Sequence, residues 1–342
     1  MEPPLQMWLS TAYSTRPTTV TYYTGCGKIM LVNNASPKHI SIIIPTHNRA
    51  GLLKQSLESI SKLEIPSGIA VELLVIANAC TDQTAEVCQA AAGTIPFPMR
   101  CVVEPQAGAS HARNRALAEA GGEILAFLDD DIWVEPQWLA GLLEVFNQYP
   151  ADLVGGKVTL WWKAVEKPAW MTHRSEHLLS SVDYGPEVRE LFTGGDAISA
   201  NLAVRRCVLT SVSGFRTDLD RQGRTLLAGG DTYFIQQAIN AGHRLFYAPH
   251  AAIRHWVDME RITLPYLSRA AFANGMARIA MMDKLSPGKK MKLVCENGMK
   301  LLLYRLVEFL GVITGNQRGR INHRIRRMTA LGVLTALSQS RG

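Results

Sequence analysis

Between residues 39 and 136, short apolar runs alternate four times with stretches of helical spacing. His39-Ile-Ser-Ile-Ile-Ile-Pro45 is nearly continuous in β-branched residues, the pattern of a strand buried on both faces of a parallel sheet. Thr46–Arg49 reads as a turn, and Ala50–Leu63 carries Leu52, Leu53, Leu57 and Ile60 at helical spacing. Val71–Ile76 is a second strand, and Thr81 is expected to cap a helix reaching about Ala92. Arg100–Val103 is a third strand, and Ser110 opens a helix that ends at Gly121-Gly122. Leu125–Leu128 is the fourth strand. Such alternation predicts a doubly wound α/β sheet.

Further on, Gln137–Tyr149 reads as a helix and Asp152–Leu160 as a strand interrupted by glycines. Residues 161–195 are irregular, with Trp161, Trp162 and Trp170 close together. Gly194–Arg205 resumes as a strand-like run, Gly229–Asn240 as a helix, and Arg244–Tyr247 and Ala251–His255 as two short strands. From Leu264 the pattern is helical and basic. Three regions are therefore expected: an N-terminal extension (1–38), an α/β domain (39–263) and a basic helical C-terminal region (264–342). Residues 1–38 show no strong period, and Gly25-Cys-Gly-Lys28 lacks the spacing of a phosphate loop.

Charge is distributed unevenly. Residues 261–342 hold 15 Lys or Arg and 3 Asp or Glu, giving 15 − 3 = +12, so the first 260 residues carry 7 − 12 = −5 of the net +7. A basic C-terminal quarter suggests an anionic surface partner, and no nucleic-acid motif accompanies it. The six cysteines form no C-x-x-C pair, which argues against a zinc cluster and fits a reducing cytoplasm. The start of the chain lacks a signal-peptide pattern. No apolar run approaches the roughly 20 residues that span a bilayer. The expected location is cytoplasmic, with peripheral attachment at the inner face of the membrane left open.

The fourth strand runs directly into Asp129-Asp130-Asp131. Adjacent carboxylates repel, and a hard divalent cation gives them a reason to coexist. A solvated acidic loop with a capping Asp is the alternative. Ligands of open α/β sheets bind beyond the carboxyl ends of the strands, where these acids lie. The loops after the first and second strands converge there too.

Five separated segments, in order, resemble the family-2 glycosyltransferases, inverting enzymes of the GT-A fold. They are Ile43–Arg49, Ala77–Thr84, Gly108–Arg115, Asp129–Asp131 with Pro136, and Ser199–Arg206 followed by Gly214-Phe215 and Gly230-Asp231. The resemblance covers about residues 40–263. It implies a Rossmann-like doubly wound mixed sheet with a C-terminal helical extension. The implied donor is a nucleoside diphosphate sugar, a UDP-sugar first, and the acceptor a glycan or lipid-linked saccharide. The implied cofactor is Mg²⁺ or Mn²⁺, held by Asp131, Asp129 and His255, although a strand-end His is also a common structural residue. Asp231 matches the general base, with an N-cap Asp as the alternative. Pro45, Thr46, Asn48, Arg49, Asn78, Arg113, Asp129 and Asp130 match nucleotide-sugar positions. Turn chemistry is the alternative for Thr46, Asn48 and Arg49, and a surface helix position for Arg113. Asn201 and Trp170 match the acceptor side, where a hydrogen-bonded core Asn and a packed Trp are the alternatives.

Two departures stand out. Ala77 occupies a position where the family often has an acid against the base, leaving the neighbouring Asn78 as a substitute amide partner. Gly230 stands where the family often has Glu. A pyrophosphorylase would want a Gly-rich loop where Pro45-Thr-His-Asn-Arg49 stands. A non-catalytic sugar-nucleotide-binding protein of polysaccharide assembly is the remaining rival.

Leu301–Ile313 is apolar apart from Arg305 and Glu308, and basic clusters flank it. A helix of that length, about 20 Å, is too short to span a bilayer. It suits either an interfacial helix on an anionic membrane or a helix packed on the catalytic domain.

Overall fold

The computed structural model describes residues 19–23, 29–33, 37–163, 165–220, 229–282 and 285–339. The Gly25–Lys28 segment, with Cys26, lies outside them. The chain divides into two compact units, Met1–Ser36 and Pro37–Gly342. In the first, β1 (Thr19–Tyr23) and β2 (Ile29–Asn33) pair as an antiparallel hairpin that the sequence pattern did not announce. Each is only five residues long, too short for its alternation to stand out.

The second unit is built on a nine-stranded sheet among the described residues. β3 (His39–Thr46), β4 (Ala70–Asn78), β5 (Met99–Glu104) and β6 (Ile124–Leu128) form its parallel half in the order β5-β4-β3-β6. Ile42–Ile44, Leu73–Ile76 and Leu125–Leu128 are completely buried, as strands covered on both faces must be. The helices α1 (Ala50–Ile60), α2 (Thr84–Ala92) and α3 (Ala109–Glu119) make the crossovers. α2 begins at Thr84 rather than Thr81. The Asp82 carboxylate takes the N–H and hydroxyl of Thr84 at 3.2 and 2.5 Å, while the Thr81 N–H is drawn to Asn48.

The other half is mixed. After β7 (Ile132–Val134) and α4 (Trp138–Gln148), the chain forms β8 (Leu153–Trp161), α5 (His173–His177), β9 (Arg189–Leu191) and β10 (Asn201–Arg205). β10 lies antiparallel between β6 and β8. α6 (Gly230–Asn240) leads to β11 (Leu245–Trp256), which runs parallel to β8 and takes β7 and β9 antiparallel.

Three expectations change here. β11 is one strand, not two, with a register shift against β8 between Ala248 and Ile253 that accommodates Pro249. The run from Gly194 contracts to five strand residues followed by a 3₁₀ turn, Arg206–Thr210. β8 passes through Gly155-Gly156 without interruption. Those glycines are needed for close approach: a Cβ on Gly155 would press on the Ala197 side chain, and one on Gly156 would collide with the Asn201 amide and the Ala251 carbonyl.

The chain ends in α7 (Leu264–Ala280), α8 (Pro287–Ile313) and α9 (Gln317–Gln339), all within the second unit. α7 and α9 touch backbone to backbone, because a Cβ on Gly275 would strike the Thr329 carbonyl and one on Gly332 the Phe272 carbonyl. No described helix is long and apolar enough to cross a membrane.

Gly156→Ala should therefore destabilise the protein by about 1–3 kcal/mol, the usual cost of overpacking. Chemical denaturation read by fluorescence checks this; an unchanged midpoint would show that the β8–β10 contact yields easily.

Candidate active site

β6 delivers Asp129-Asp130-Asp131 to the middle of the sheet edge, and the backbone there is held from two sides. The Ser56 hydroxyl of α1 lies 2.8 Å from the Asp130 carbonyl and accepts the Ile132 N–H at 3.1 Å. The Trp256 N–H donates to the Asp131 carbonyl at 2.8 Å. The carboxylates then meet cations, Arg49 and His255 each shared between two of them. Asp130 takes the Thr46 hydroxyl at 2.7 Å and the Arg49 guanidinium at 3.1 Å. Asp131 takes Arg49 at 2.8 Å, with His255 Nε2 at 3.2 Å and Arg261 at 3.9 Å. Asp129 lies 3.8 Å from Arg113 and 3.7 Å from His255 Nε2.

These surroundings separate the acids. Burial works to raise the Asp129 carboxyl, but the His255 hydrogen bond and the Arg113 charge outweigh it and hold it at about 2. Burial pushes Asp130 up to about 6, joined by the neighbouring Asp131 charge and opposed by Arg49. Burial disfavours protonation of His255, yet the Asp131 and Asp129 carboxylates raise it above its ordinary value.

Asp129, Asp131 and His255 can each turn one ligand atom toward a common point, those atoms lying within 4.8 Å of one another. Asp131 Oδ1 is buried without a hydrogen-bond donor. His255 Nδ1 lies 3.1 Å from the Trp256 carbonyl; with the proton on Nδ1, Nε2 would offer a lone pair to a cation in place of its contacts with Asp129 and Asp131. Two carboxylates and one imidazole with an orphaned oxygen fit a small divalent cation.

Beyond these acids opens a cleft of about 980 Å³. Asp231, in the first turn of α6, lines it. Its Oδ2 accepts the N–H and hydroxyl of Ser199, both at 3.2 Å, and its Oδ1 the Thr232 N–H at 2.8 Å. The N-cap of α6 is Gly229, so Asp231 is not the capping residue. α3 fastens the two halves of the site together. Ser110 gives its N–H and hydroxyl to Asp220, both at 2.6 Å, and Asn114 exchanges two 2.8 Å hydrogen bonds with the backbone of Phe215. Gly214, at φ 105°, turns the chain into that exchange.

Residues 41–209 match the family model of glycosyl transferase family 2. The chain is 27% identical over 253 residues to the succinoglycan biosynthesis protein ExoM of Rhizobium meliloti, covering 73% of this chain and 77% of that protein. The family match and the glycosyltransferase relatives support a family-2 glycosyltransferase. The fold agrees. A mannosyltransferase of Pyrobaculum calidifontis, solved with GDP-Man and Mn²⁺, matches with a TM-score of 0.54 at 20% identity, over 90% of this chain and 77% of that one. Residues 1–349 of TarS from S. aureus, solved with UDP-GlcNAc, match with a TM-score of 0.50 at 16% identity, over 89% of this chain and 92% of that one.

In this glycosyltransferase the cleft gathers Pro45, Thr46, Arg49, Asn78, Arg113, Asp129, Asp130, Asp131, Asp231 and His255. Three other expected residues do not line it. Asn48, at φ 51°, uses its amide oxygen to take the Thr81 N–H at 2.7 Å, which is turn chemistry. Trp170 packs in a separate cluster with Met171, Leu179 and Leu267. Asn201 is completely buried, accepting Trp138 Nε1–H at 2.8 Å and donating to the Lys157 and Ala251 carbonyls at 3.0 and 2.8 Å. Asn78 faces the cleft, yet its amide serves the protein: it donates to the Glu104 and Gln106 carbonyls and accepts the Gly108 N–H. Both of its amide N–H donors are thus spent on the backbone.

Several cleft residues carried no recognisable signal in the sequence. Asp220 becomes legible only through its hydrogen bonds to Ser110 of α3, and Arg261 only through its approach to Asp131; Ser199 lies in the Ser199–Arg206 segment, which by itself assigns it no role. Asn274 and Met281 reach the cleft from α7, beyond the expected domain boundary at 263.

Asn201→Ala should cost about 1–3 kcal/mol of stability by stranding the indole N–H and two carbonyls. Unfolding curves together with acceptor kinetics test this; a raised acceptor KM at unchanged stability would restore an acceptor role.

Proposed function

We propose that this family-2 glycosyltransferase is an inverting, metal-dependent enzyme that transfers a sugar from a nucleoside diphosphate sugar to a saccharide or lipid-linked acceptor. The observation that carries the reading is one cleft holding Asp231 together with the Asp129–Asp131–His255 ligand set. Asp131, Asp129 and His255 would hold Mg²⁺ or Mn²⁺, which when bound neutralises charge on the departing diphosphate. Arg49, Arg113 and Arg261 surround the same acids and offer guanidinium groups for phosphate oxygens. Asp231 takes the proton from the acceptor hydroxyl as it attacks the anomeric carbon from the face opposite the leaving group. Ser199 and the Thr232 N–H orient that carboxylate.

A UDP-sugar is the first donor to test, since the TarS structure holds UDP-GlcNAc; GDP-Man, held by the mannosyltransferase, is the second. Ala77 is buried and the Asn78 amide is engaged, so base selectivity rests on backbone groups around the cleft. The likeness to a succinoglycan biosynthesis protein supports a place in polysaccharide assembly. An acceptor carried on a lipid would be met at an anionic membrane surface.

Asp131→Asn should reduce Mg²⁺- or Mn²⁺-stimulated donor turnover by about 100-fold or more while the protein stays folded. The check is hydrolysis and transfer from a panel of nucleotide sugars, alongside circular dichroism. Wild-type turnover that persists in chelator would defeat the metal assignment.

Asp231→Asn should lower the transfer rate by about 10² to 10⁴-fold with donor affinity nearly unchanged. Calorimetry of donor binding beside single-turnover transfer separates the two quantities. Lost donor binding with retained turnover at saturation would assign Asp231 to the donor instead.

A further inference from the structure

Ten of the thirteen large hydrophobic side chains that stand exposed among the described residues lie on α8. Met299, Leu302, Leu306, Phe309 and Ile313 recur at three- and four-residue steps, with Met291 eight residues earlier, and so share one face. Leu302 is 74% exposed, Phe309 61% and Ile313 66%. The opposite face is the one that packs: Leu293 and Asn297 are buried, and Gly311 sits against Arg320 of α9. The helix is thus amphipathic in the reverse sense, with its most apolar side turned away from the protein. Contiguous apolar surface of this extent marks an interaction site.

Charge selects the occupant. Lys292 and Arg305, both exposed, border the stripe on its two sides, with Lys289 before it and Arg318 beyond the helix. The two acids of α8 are already engaged, Glu308 by Arg327 at 2.9 Å and Glu296 by Lys292 at 4.0 Å. A second copy laid on this face would bring cations to Lys292 and Arg305, since the one acid beside the stripe, Glu296, already faces Lys292. A bilayer with anionic headgroups satisfies both features, taking the apolar side chains below its surface and the ammonium and guanidinium groups at it. From Met291 to Ile313 the stripe is about 33 Å long, and a helix packed along its rear can only lie in the membrane plane.

We propose that α8 docks this glycosyltransferase on an anionic membrane surface through the face centred on Leu302, Leu306 and Phe309. The docking does not depend on the donor chemistry, so it stands or falls separately from the catalytic assignment.

The test is flotation of the full chain with phosphatidylcholine vesicles and with vesicles that also contain phosphatidylglycerol, at low and high salt. The wild type should float with the anionic vesicles at low salt and less with the neutral ones. Leu302→Glu combined with Phe309→Glu should cut the floated fraction by about tenfold or more. Both side chains are exposed, so the variant should remain folded and keep its turnover of soluble donor. Lys292→Glu with Arg305→Glu should remove the preference for anionic over neutral vesicles. The proposal is overturned if the wild type stays unbound at low salt, or if the Leu302/Phe309 variant floats as well as the wild type. It is equally overturned if light scattering shows a dimer that this variant dissolves while vesicle binding is absent.

Discussion

Arg49 bridges Asp130 and Asp131 at 3.1 and 2.8 Å, and the architecture of the site follows from that arrangement. Three consecutive carboxylates at the end of a buried strand are unstable unless their repulsion is divided. Here it is divided by direction. Asp130 turns back toward Thr46 and Arg49 on the first βα turn, Asp129 toward Arg113 on α3, and Asp131 toward His255 on β11. The elements that build the cleft are therefore the elements that supply cations to the acid turn. Arg49 is itself a compromise: burial works against its charge, and the two carboxylates hold its pKa above the ordinary value.

The mixed half of the sheet supplies what the parallel half cannot. β10 inserts antiparallel beside β6, so the segment just before it, with Ser199, reaches the same edge as the acids. Ser199 then orients Asp231 across the cleft from them. Asn201 secures that geometry by joining α4, β8 and β11 through one amide, which is why Gly156 must lack a side chain beside it. α3 does the corresponding work from the nucleotide side: within six residues it offers Ser110 to Asp220, Arg113 to Asp129 and Asn114 to Phe215. The segment that resembles a family motif, Gly108–Arg115, is thus a fastener as much as a binding element.

The alternation of strands and helices was legible because buried parallel strands have almost no polar residues. Ile42–Ile44 and Leu125–Leu128 could hardly be anything else. The acid triplet stood out as a carboxylate cluster at a strand end, while Asp231 and His255 were expected only from the family resemblance. Amides were not. Asn48, Asn78 and Asn201 each present the same donor and acceptor to the reader of a sequence, and only coordinates show that the protein's own backbone or an indole already uses them. Helix and strand limits failed where a side chain competed locally, as Asp82 does at the start of α2. The single strand β11 was hidden by Pro249, whose missing N–H suggests a break but is absorbed by a register shift.

The C-terminal helices show how a composition shift misleads about structure. The basic character beginning near residue 261 suggests a separate region, yet α7 puts Asn274, Ala277 and Met281 into the cleft wall. The residues that α7 buries are mostly small, among them Ala270, Ala271, Ala273 and Ala277, so it packs closely on its neighbours. It is clamped by α9 through Gly275 and Gly332, where backbones meet without intervening side chains. α8 packs on α9 from outside, with Leu293 in one cluster with Val333, Leu337 and Ile279 of α7. A wall of the active-site cleft therefore rests on a helical layer whose outer surface is apolar. The charge shift at residue 261 thus falls inside the compact unit Pro37–Gly342, with Asn274 and Ala277 of α7 beyond it lining the cleft.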